Sequence, residues 1–321
     1  MKKSKNCTMK ALYIFLKIDF YNNKSKNLKM SIQYVNYDIG THTRFSGQIY
    51  DTVNYSISKG MYSTQFFMGN PYGFNRAKIS LEDIEKTKKL LHNYPTHIFT
   101  HFPYVANLAG SKDTLAWNEN SSQDAKTTYI LKSLEYELSV ISNFDRSSNG
   151  VVIHPGSFPN RNKGLVAISK SINKINFSEN SKLILENSAG QGNTLATTFE
   201  ELKTIIDNVD NDKKQFIGIC IDTCHTYAYG LYDLSKIEEV EKMFIDFDNI
   251  IGIKNLSLVH LNDSKEKFKS KKDRHELLKQ GYIWKHDDSS LKYLLEKCKK
   301  YNIPIILETE ETDMNTVSRI Q

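Results

Sequence analysis

The chain has 321 residues, 39% hydrophobic and 25% charged, with only 15 Gly and 6 Pro. That composition excludes a collagen-like or low-complexity chain and leaves one large globular domain or two ordinary ones. The net charge of +6 is a mild basic bias, compatible with a polyanionic partner but too small to argue for one.

The first thirty residues are rich in Lys and Asn around one apolar patch, Ala11-Leu12-Tyr13-Ile14-Phe15-Leu16. Lys17 and Asp19 interrupt that patch and no small-residue cleavage site follows, so a secretory signal is not expected. Residues 1–30 read as an N-terminal extension, expected to be disordered, ahead of a domain spanning 31–321. No later run reaches the roughly 18 apolar residues of a membrane span. Cys7, Cys220, Cys224 and Cys298 form neither a paired zinc knuckle nor a disulfide framework. Reduced, packed thiols and an intracellular compartment follow.

From residue 33 onward, short β-rich segments alternate with helical ones. Strands are predicted at Gln33–Gly40, Ser63–Met68, Thr96–Thr100, Gly150–Ile153, Lys182–Leu185, Phe216–Ile221, Leu256–Leu261 and Ile303–Leu307. Helical periodicity falls at Ser80–Leu91, Thr127–Ile141, Thr197–Asn208, Lys236–Phe244 and Ser289–Tyr301. Ser80, three residues before Asp83, has the form of a helix start. Alternating strand and helix argues for a parallel sheet, and eight such units in this length match a (β/α)8 TIM barrel. An open doubly wound sheet is the competitor, but Gly40-Thr41-His42-Thr43-Arg44 lacks the glycine-rich first turn of a dinucleotide fold.

Six successive predicted strands run into an imidazole or carboxylate. These are His101, His154, Glu186, Asp222 with His225 close behind, His260 and Glu308. In a TIM barrel that C-terminal rim is where active sites are built. Asp273-Arg274-His275, on a charged loop beyond Asn262-Asp263, adds two more groups of the same type. The inventory is five His, two Asp and two Glu without a thiolate, a donor set suited to catalytic rather than structural metal. Nine donors exceed one tetrahedral ion and suffice for two or three if a carboxylate bridges. Clustered divalent ions suit phosphate-ester hydrolysis, because they bind phosphoryl oxygens, acidify water and stabilise a leaving oxygen. Amide or sugar chemistry also uses paired metals, so the donor set alone leaves the reaction open.

The residues around these donors resemble a known family. Val152-Ile153-His154-Pro155-Gly156-Ser157 resembles the histidine motif of the endonuclease IV family of apurinic/apyrimidinic (AP) endonucleases, and Leu185-Glu186-Asn187-Ser188-Ala189-Gly190 its bridging-glutamate motif. Cys220-Ile221-Asp222-Thr223-Cys224-His225, His260-Leu261-Asn262-Asp263-Ser264-Lys265 with Asp273-Arg274-His275, and Pro304-Ile305-Ile306-Leu307-Glu308-Thr309 are similar to three further motifs, in order. The resemblance covers residues 33–312. It implies a TIM barrel with a trinuclear zinc site at the strand rim, acting as a monomer on double-stranded DNA with abasic sites. Cleavage on the 5′ side of the site would leave a 3′-hydroxyl and a 5′-deoxyribose phosphate, a step of base excision repair. By the same resemblance His101, His154 and Glu186 hold one Zn2+, and Glu186 bridges to a second completed by Asp222, His260 and Glu308. His225, Asp273 and His275 then hold a third. Glu186 and Glu308 are the residues assigned to catalysis, Glu308 by orienting or deprotonating the attacking water. Tyr104 stands at the position of an intercalating tyrosine, and Tyr72 in Asn70-Pro71-Tyr72-Gly73-Phe74 where the family often has an arginine. Leu277–Trp284 departs from the family's glycine-rich turn, sharing only Gly281 and Ile283 with it.

Two other readings fit parts of this pattern. A dimetal sugar isomerase or epimerase on a related barrel also uses Glu, Asp, His and Glu at strand ends, but gives no reason for His101, His154 or the Asp273/His275 pair. A non-catalytic DNA-damage binding protein would have no need to keep all nine donors.

Overall fold

Strands β1 (Ile39–His42), β2 (Ser63–Phe66), β3 (His97–His101), β4 (Gly150–Ile153), β5 (Lys182–Glu186), β6 (Ile217–Asp222), β7 (Leu256–His260) and β10 (Ile305–Leu307) pair in parallel. They close into a barrel, β10 returning to lie beside β1. The computed structural model describes residues 37–110, 125–144, 146, 149–309 and 311–320. The expected extension at 1–30, Cys7 and the start of the first predicted strand lie outside them. The barrel is the fold expected from the alternation.

Helices α1 (Ile49–Ser58), α2 (Leu81–Asn93), α3 (Ala125–Ile141), α4 (Arg161–Ile172), α5 (Phe199–Asp207), α7 (Ile237–Ile250), α8 (Ser289–Tyr301) and α9 (Thr312–Ile320) follow the strands, with a short α6 (Thr223–Tyr229) directly after β6. Ser80, Asn160 and Thr198 cap α2, α4 and α5 by accepting from the backbone N–H three residues on. Among the described residues the first strand is Ile39–His42, two residues past the predicted end at Gly40: its register is set by Ile39 beside Ile305 and His42 beside Gln65. The helix predicted at Lys236–Phe244 runs on to Ile250, because Val240, Met243, Phe244 and Phe247 continue one buried stripe. Cys220, Cys224 and Cys298 are free and buried, as the sequence implied. Among the described residues no helix is long and apolar enough to cross a membrane.

Inside the barrel Phe99, Val152, Ile184, Cys220, Leu258 and Ile306 form their own core layer, separate from the larger core between strands and helices. Strand side chains alternate, so the residue two further on points inward again, one layer higher. Those residues are His101, His154, Glu186, Asp222, His260 and Glu308. The apolar layer is the floor on which the polar rim stands.

Asp83 does more than its place in α2 requires. Its carboxylate, 5% exposed, accepts from Ile49 N at 2.7 Å and Tyr50 N at 2.8 Å, satisfying the open start of α1. Asp83→Ala therefore costs about 2 kcal/mol of stability through two orphaned N–H groups. Urea unfolding reads this directly; an unshifted midpoint would contradict the capping role.

Candidate metal centre

Each donor reaches the rim by a local device. In the β6–β7 ladder the register slips after Ile219, which pairs with Leu256 while Cys220 pairs with Leu258. The extra residue advances β7 by one, so Asp222 meets His260 instead of Val259. Asp222 then caps α6: its Oδ1 accepts from His225 N at 2.8 Å, which fixes the separation of these two side chains. α6 stops after two turns at Gly230, whose φ of 89° suits a residue without Cβ. Asp273 and His275 arrive on a ribbon the sequence did not signal, in which β8 (Asp263–Ser264) pairs antiparallel with β9 (His275–Glu276). Two residues per strand are too few to show an alternating pattern.

Seven of the nine predicted side chains line one cleft of about 270 Å3, and Asp222 and His260 are buried beside it within reach of Glu186 and Glu308. Glu186, 1% exposed, is at its centre: Oε2 lies 3.2 Å from His101 Nε2 and 3.3 Å from His154 Nε2. Its Oε1 lies 3.2 Å from His225 Nδ1 and 3.4 Å from His260 Nδ1. Glu308 Oε2 is 3.3 Å from His260 Nδ1. Asp273 is 3.1 Å from His225 Nε2 and 3.2 Å from His275 Nε2, and Asp222 Oδ2 is 3.5 Å from His275 Nε2. Donor atoms fall within 4.8 Å of one another in the sets His101/His154/Glu186, Glu186/Asp222/His260/Glu308 and Asp222/His225/His275. Asp222 thus belongs to two sets. Cys224 also lies near Asp273 and His275, but its thiol donates to Arg274 O at 3.7 Å and burial pushes its pKa up to about 12.

Hydrogen bonds at the far side of three imidazoles decide which nitrogen faces inward. His101 Nδ1 lies 2.8 Å from Phe102 O, His225 Nδ1 2.8 Å from Asn187 O, and His260 Nε2 2.9 Å from Gln65 Oε1. Each carbonyl accepts only from a protonated nitrogen, which in the neutral, metal-binding form of the ring leaves the lone pair on the other nitrogen. Glu186 Oε1, His225 Nε2, His260 Nδ1 and His275 Nε2 are buried there without a hydrogen bond. Carboxylate oxygens and imidazole nitrogens buried this close together are costly unless a proton or a metal ion lies between them, so the residues fit a bound metal. Burial opposes charge on His275, yet Asp222, Asp273 and Glu308 outweigh it and raise its pKa to about 9. At His154 burial dominates and lowers it to about 4. These carboxylates attract positive charge more strongly than the neighbouring imidazoles satisfy.

Three amides escaped the sequence reading because they are not donors of the usual metal type. Gln65 Nε2 donates to Glu308 Oε1 at 2.9 Å and lies 3.1 Å from His42 Nδ1, while its oxygen faces His260. Asn262 Nδ2 donates to Asp222 Oδ2 at 2.7 Å and Glu308 Oε2 at 3.1 Å. Asn187 Oδ1 accepts from Asp222 N at 2.7 Å. A sequence signal existed for two of them: Asn187 directly follows Glu186, and Asn262 lies two residues after His260.

Outside the cluster, Tyr104 lines the cleft at 47% exposure and Tyr72 stands further out at 72%, their rings 5.9 Å apart. Burial and then the charges of Glu308 and Glu186 push the Tyr104 phenol upward, so it stays neutral. Arg274 also lines the cleft, exposed to solvent. The divergent loop 277–284 is gathered around one buried carboxylate. Asp263 accepts from Ser264 N and Ile283 N through Oδ1, and from Lys279 N, Gly281 N and Trp284 N through Oδ2, at 2.8 to 3.4 Å. Leu278, Ile283 and Trp284 are buried beneath it.

A closed parallel barrel with its polar groups at the strand ends defines a TIM-barrel enzyme, and the profile of the xylose isomerase-like TIM barrel family matches residues 58–313. The probable endonuclease 4 of Halothermothrix orenii is 34% identical over 280 residues, covering 84% of this chain and 92% of that protein. The chain belongs to the endonuclease IV family. Its fold is shared with endonuclease IV from Thermus thermophilus, at a TM-score of 0.72 and 23% identity over 88% of this chain and 98% of that one. A D-tagatose 3-epimerase-like protein has the same fold at a TM-score of 0.57 and 18% identity, covering 88% and 95% of the two chains.

Proposed function

We propose that this chain is a zinc-dependent, monomeric AP endonuclease of intracellular base excision repair. It cuts duplex DNA on the 5′ side of abasic sites, leaving a 3′-hydroxyl and a 5′-deoxyribose phosphate. The observation that carries this reading is the gathering of nine donor side chains into adjoining sets, seven of them lining one cleft. His101, His154 and Glu186 would hold one zinc ion. Glu186, Asp222, His260 and Glu308 would hold a second, and His225 and His275 a third with Asp273, which lies 3.1 and 3.2 Å from their Nε2 atoms, and with Asp222 near enough to join it. Bound zinc supplies the charge that draws phosphodiester oxygens, acidifies water and stabilises a leaving oxygen.

The chain's own residues do the rest. Gln65 and Asn262 hold the two oxygens of Glu308, which fixes the direction in which that carboxylate orients water or takes its proton. Arg274 offers a cation to phosphate at the cleft wall. Tyr104 and Tyr72 offer aromatic faces to bases next to a site whose own base is missing, where unstacking costs least. The sugar isomerase reading leaves His101, His154, Asp273 and His275 without a task.

The test is incision of a duplex carrying one tetrahydrofuran abasic analogue, with and without a chelator. Metal-dependent cleavage 5′ of the analogue is expected. Turnover of a free ketose or aldose instead would favour the isomerase, and tight binding without cleavage a binding module.

A further inference from the structure

The loop that carries Tyr72 is shaped from inside by one guanidinium. Arg76 folds back under its own segment: Nε donates to Phe74 O at 3.3 Å, and Nη2 to Asn70 O at 2.9 Å and to Gly73 O. Nη1 donates to Glu137 Oε1 at 3.0 Å, across to α3. The two side chains are 3% and 0% exposed, and the guanidinium lies over the Phe102 ring at 5.8 Å. Four of its N–H bonds are spent within the protein, so this arginine has little left with which to grip a phosphate.

A buried ion pair is a poor stabiliser compared with apolar packing of similar size, whereas its fixed fork geometry specifies one arrangement. Here the arrangement is aromatic. Pro71 O accepts from Tyr104 N at 3.0 Å, which ties the loop to the cleft wall. Tyr72 lies against Tyr104, and Tyr104 against Phe67 at 5.1 Å and His101 at 5.3 Å. A row of rings therefore runs from solvent to the donor cluster, and its outer end hangs on the Arg76–Glu137 pair.

We infer that Arg76 and Glu137 form an internal strut that holds Tyr72 against Tyr104 as one preformed aromatic edge for the DNA bases beside the abasic sugar. This positioning role rests on the DNA reading proposed above. A preformed edge lowers the ordering cost of binding. Loosening the strut should weaken binding without touching the donors.

The experiment is a double-mutant cycle on Arg76→Lys and Tyr72→Ala, with Glu137→Gln as a second way to loosen the strut. Affinity is measured on a tetrahydrofuran duplex bearing 2-aminopurine opposite the analogue, whose fluorescence reports unstacking. Arg76→Lys is expected to weaken binding about tenfold and to flatten the fluorescence rise, with circular dichroism and metal content held although the melting temperature falls. The loss should fall on KM, with kcat within about twofold. The pair Arg76→Lys/Tyr72→Ala should bind no worse than Tyr72→Ala alone, since both remove the same edge. Glu137→Gln should repeat the Arg76→Lys pattern. Independent, additive losses would overturn the strut, as would unchanged affinity in Arg76→Lys. Wild-type incision of the same duplex keeps a failure of the strut distinct from a failure of the DNA reading, and a wild type that neither binds nor cuts overturns both.

Discussion

Glu186→Gln lowers incision of an abasic duplex by about a thousandfold or more while leaving the fold intact, because one carboxylate serves the whole cluster. Both oxygens of Glu186 are engaged: Oε2 faces His101 and His154, Oε1 faces His225 and His260. The amide keeps the shape and removes the charge. It also replaces one oxygen by an NH2 group, which has no lone pair to offer a cation and instead donates to an imidazole nitrogen that would otherwise bind one. A thousandfold corresponds to about 4 kcal/mol, within the range for breaking a buried charge contact. Single-turnover incision gives the rate, and metal analysis of the same sample should show fewer bound ions. Circular dichroism checks the fold. Near-normal incision by this variant would remove Glu186 from the bridging role.

Stripping the protein with a chelator should have the second largest effect. Incision falls to background and the melting temperature drops by roughly 6 °C for each ion lost, as expected for ligands present at about a thousand times their Kd on a chain of this size. The cause is visible in the cleft. Glu186 and Asp222 are 1% and 0% exposed, and Glu186 Oε1, His225 Nε2, His260 Nδ1 and His275 Nε2 are buried with no hydrogen bond to replace a cation. Added zinc should restore both readouts, and titration should saturate at three equivalents per chain. Saturation at two would remove the set His225/Asp273/His275. Undiminished incision by chelated protein with no metal left would sink the multi-zinc mechanism.

Much of the barrel and the rim was legible because strand alternation is a simple code. An apolar residue facing inward places the residue two further on in the same direction, so Phe99, Val152, Ile184, Cys220, Leu258 and Ile306 foretell the six donors above them. α1 and α4 were missed for local reasons. α1 carries Val53 and Ile57 with Asn54 and Ser56, weak helix formers, and α4 carries Gly164 in its first turn. The slip in register after Ile219 was invisible, since nothing in Ile217–Asp222 or Leu256–His260 marks an extra residue. Gln65 was missed for a different reason. An amide is unremarkable until His260, Glu308 and His42 are seen gathered around it.

Asp263 has a bearing on how such a chain changes over generations. It grips residues 279–284 through their main-chain N–H groups, which every amino acid except proline possesses. The hydrogen bonds themselves are therefore indifferent to the side chains there. Other constraints remain at Gly281, where a Cβ would lie 2.4 Å from Asp263 Oδ1, at Lys279 with its φ of 66°, and at the buried Ile283 and Trp284. Mutation is free to rewrite Gln280 and Tyr282 while the path of the chain stays put. One aspartate thus frees part of the outer face to vary in sequence beside the donor cluster.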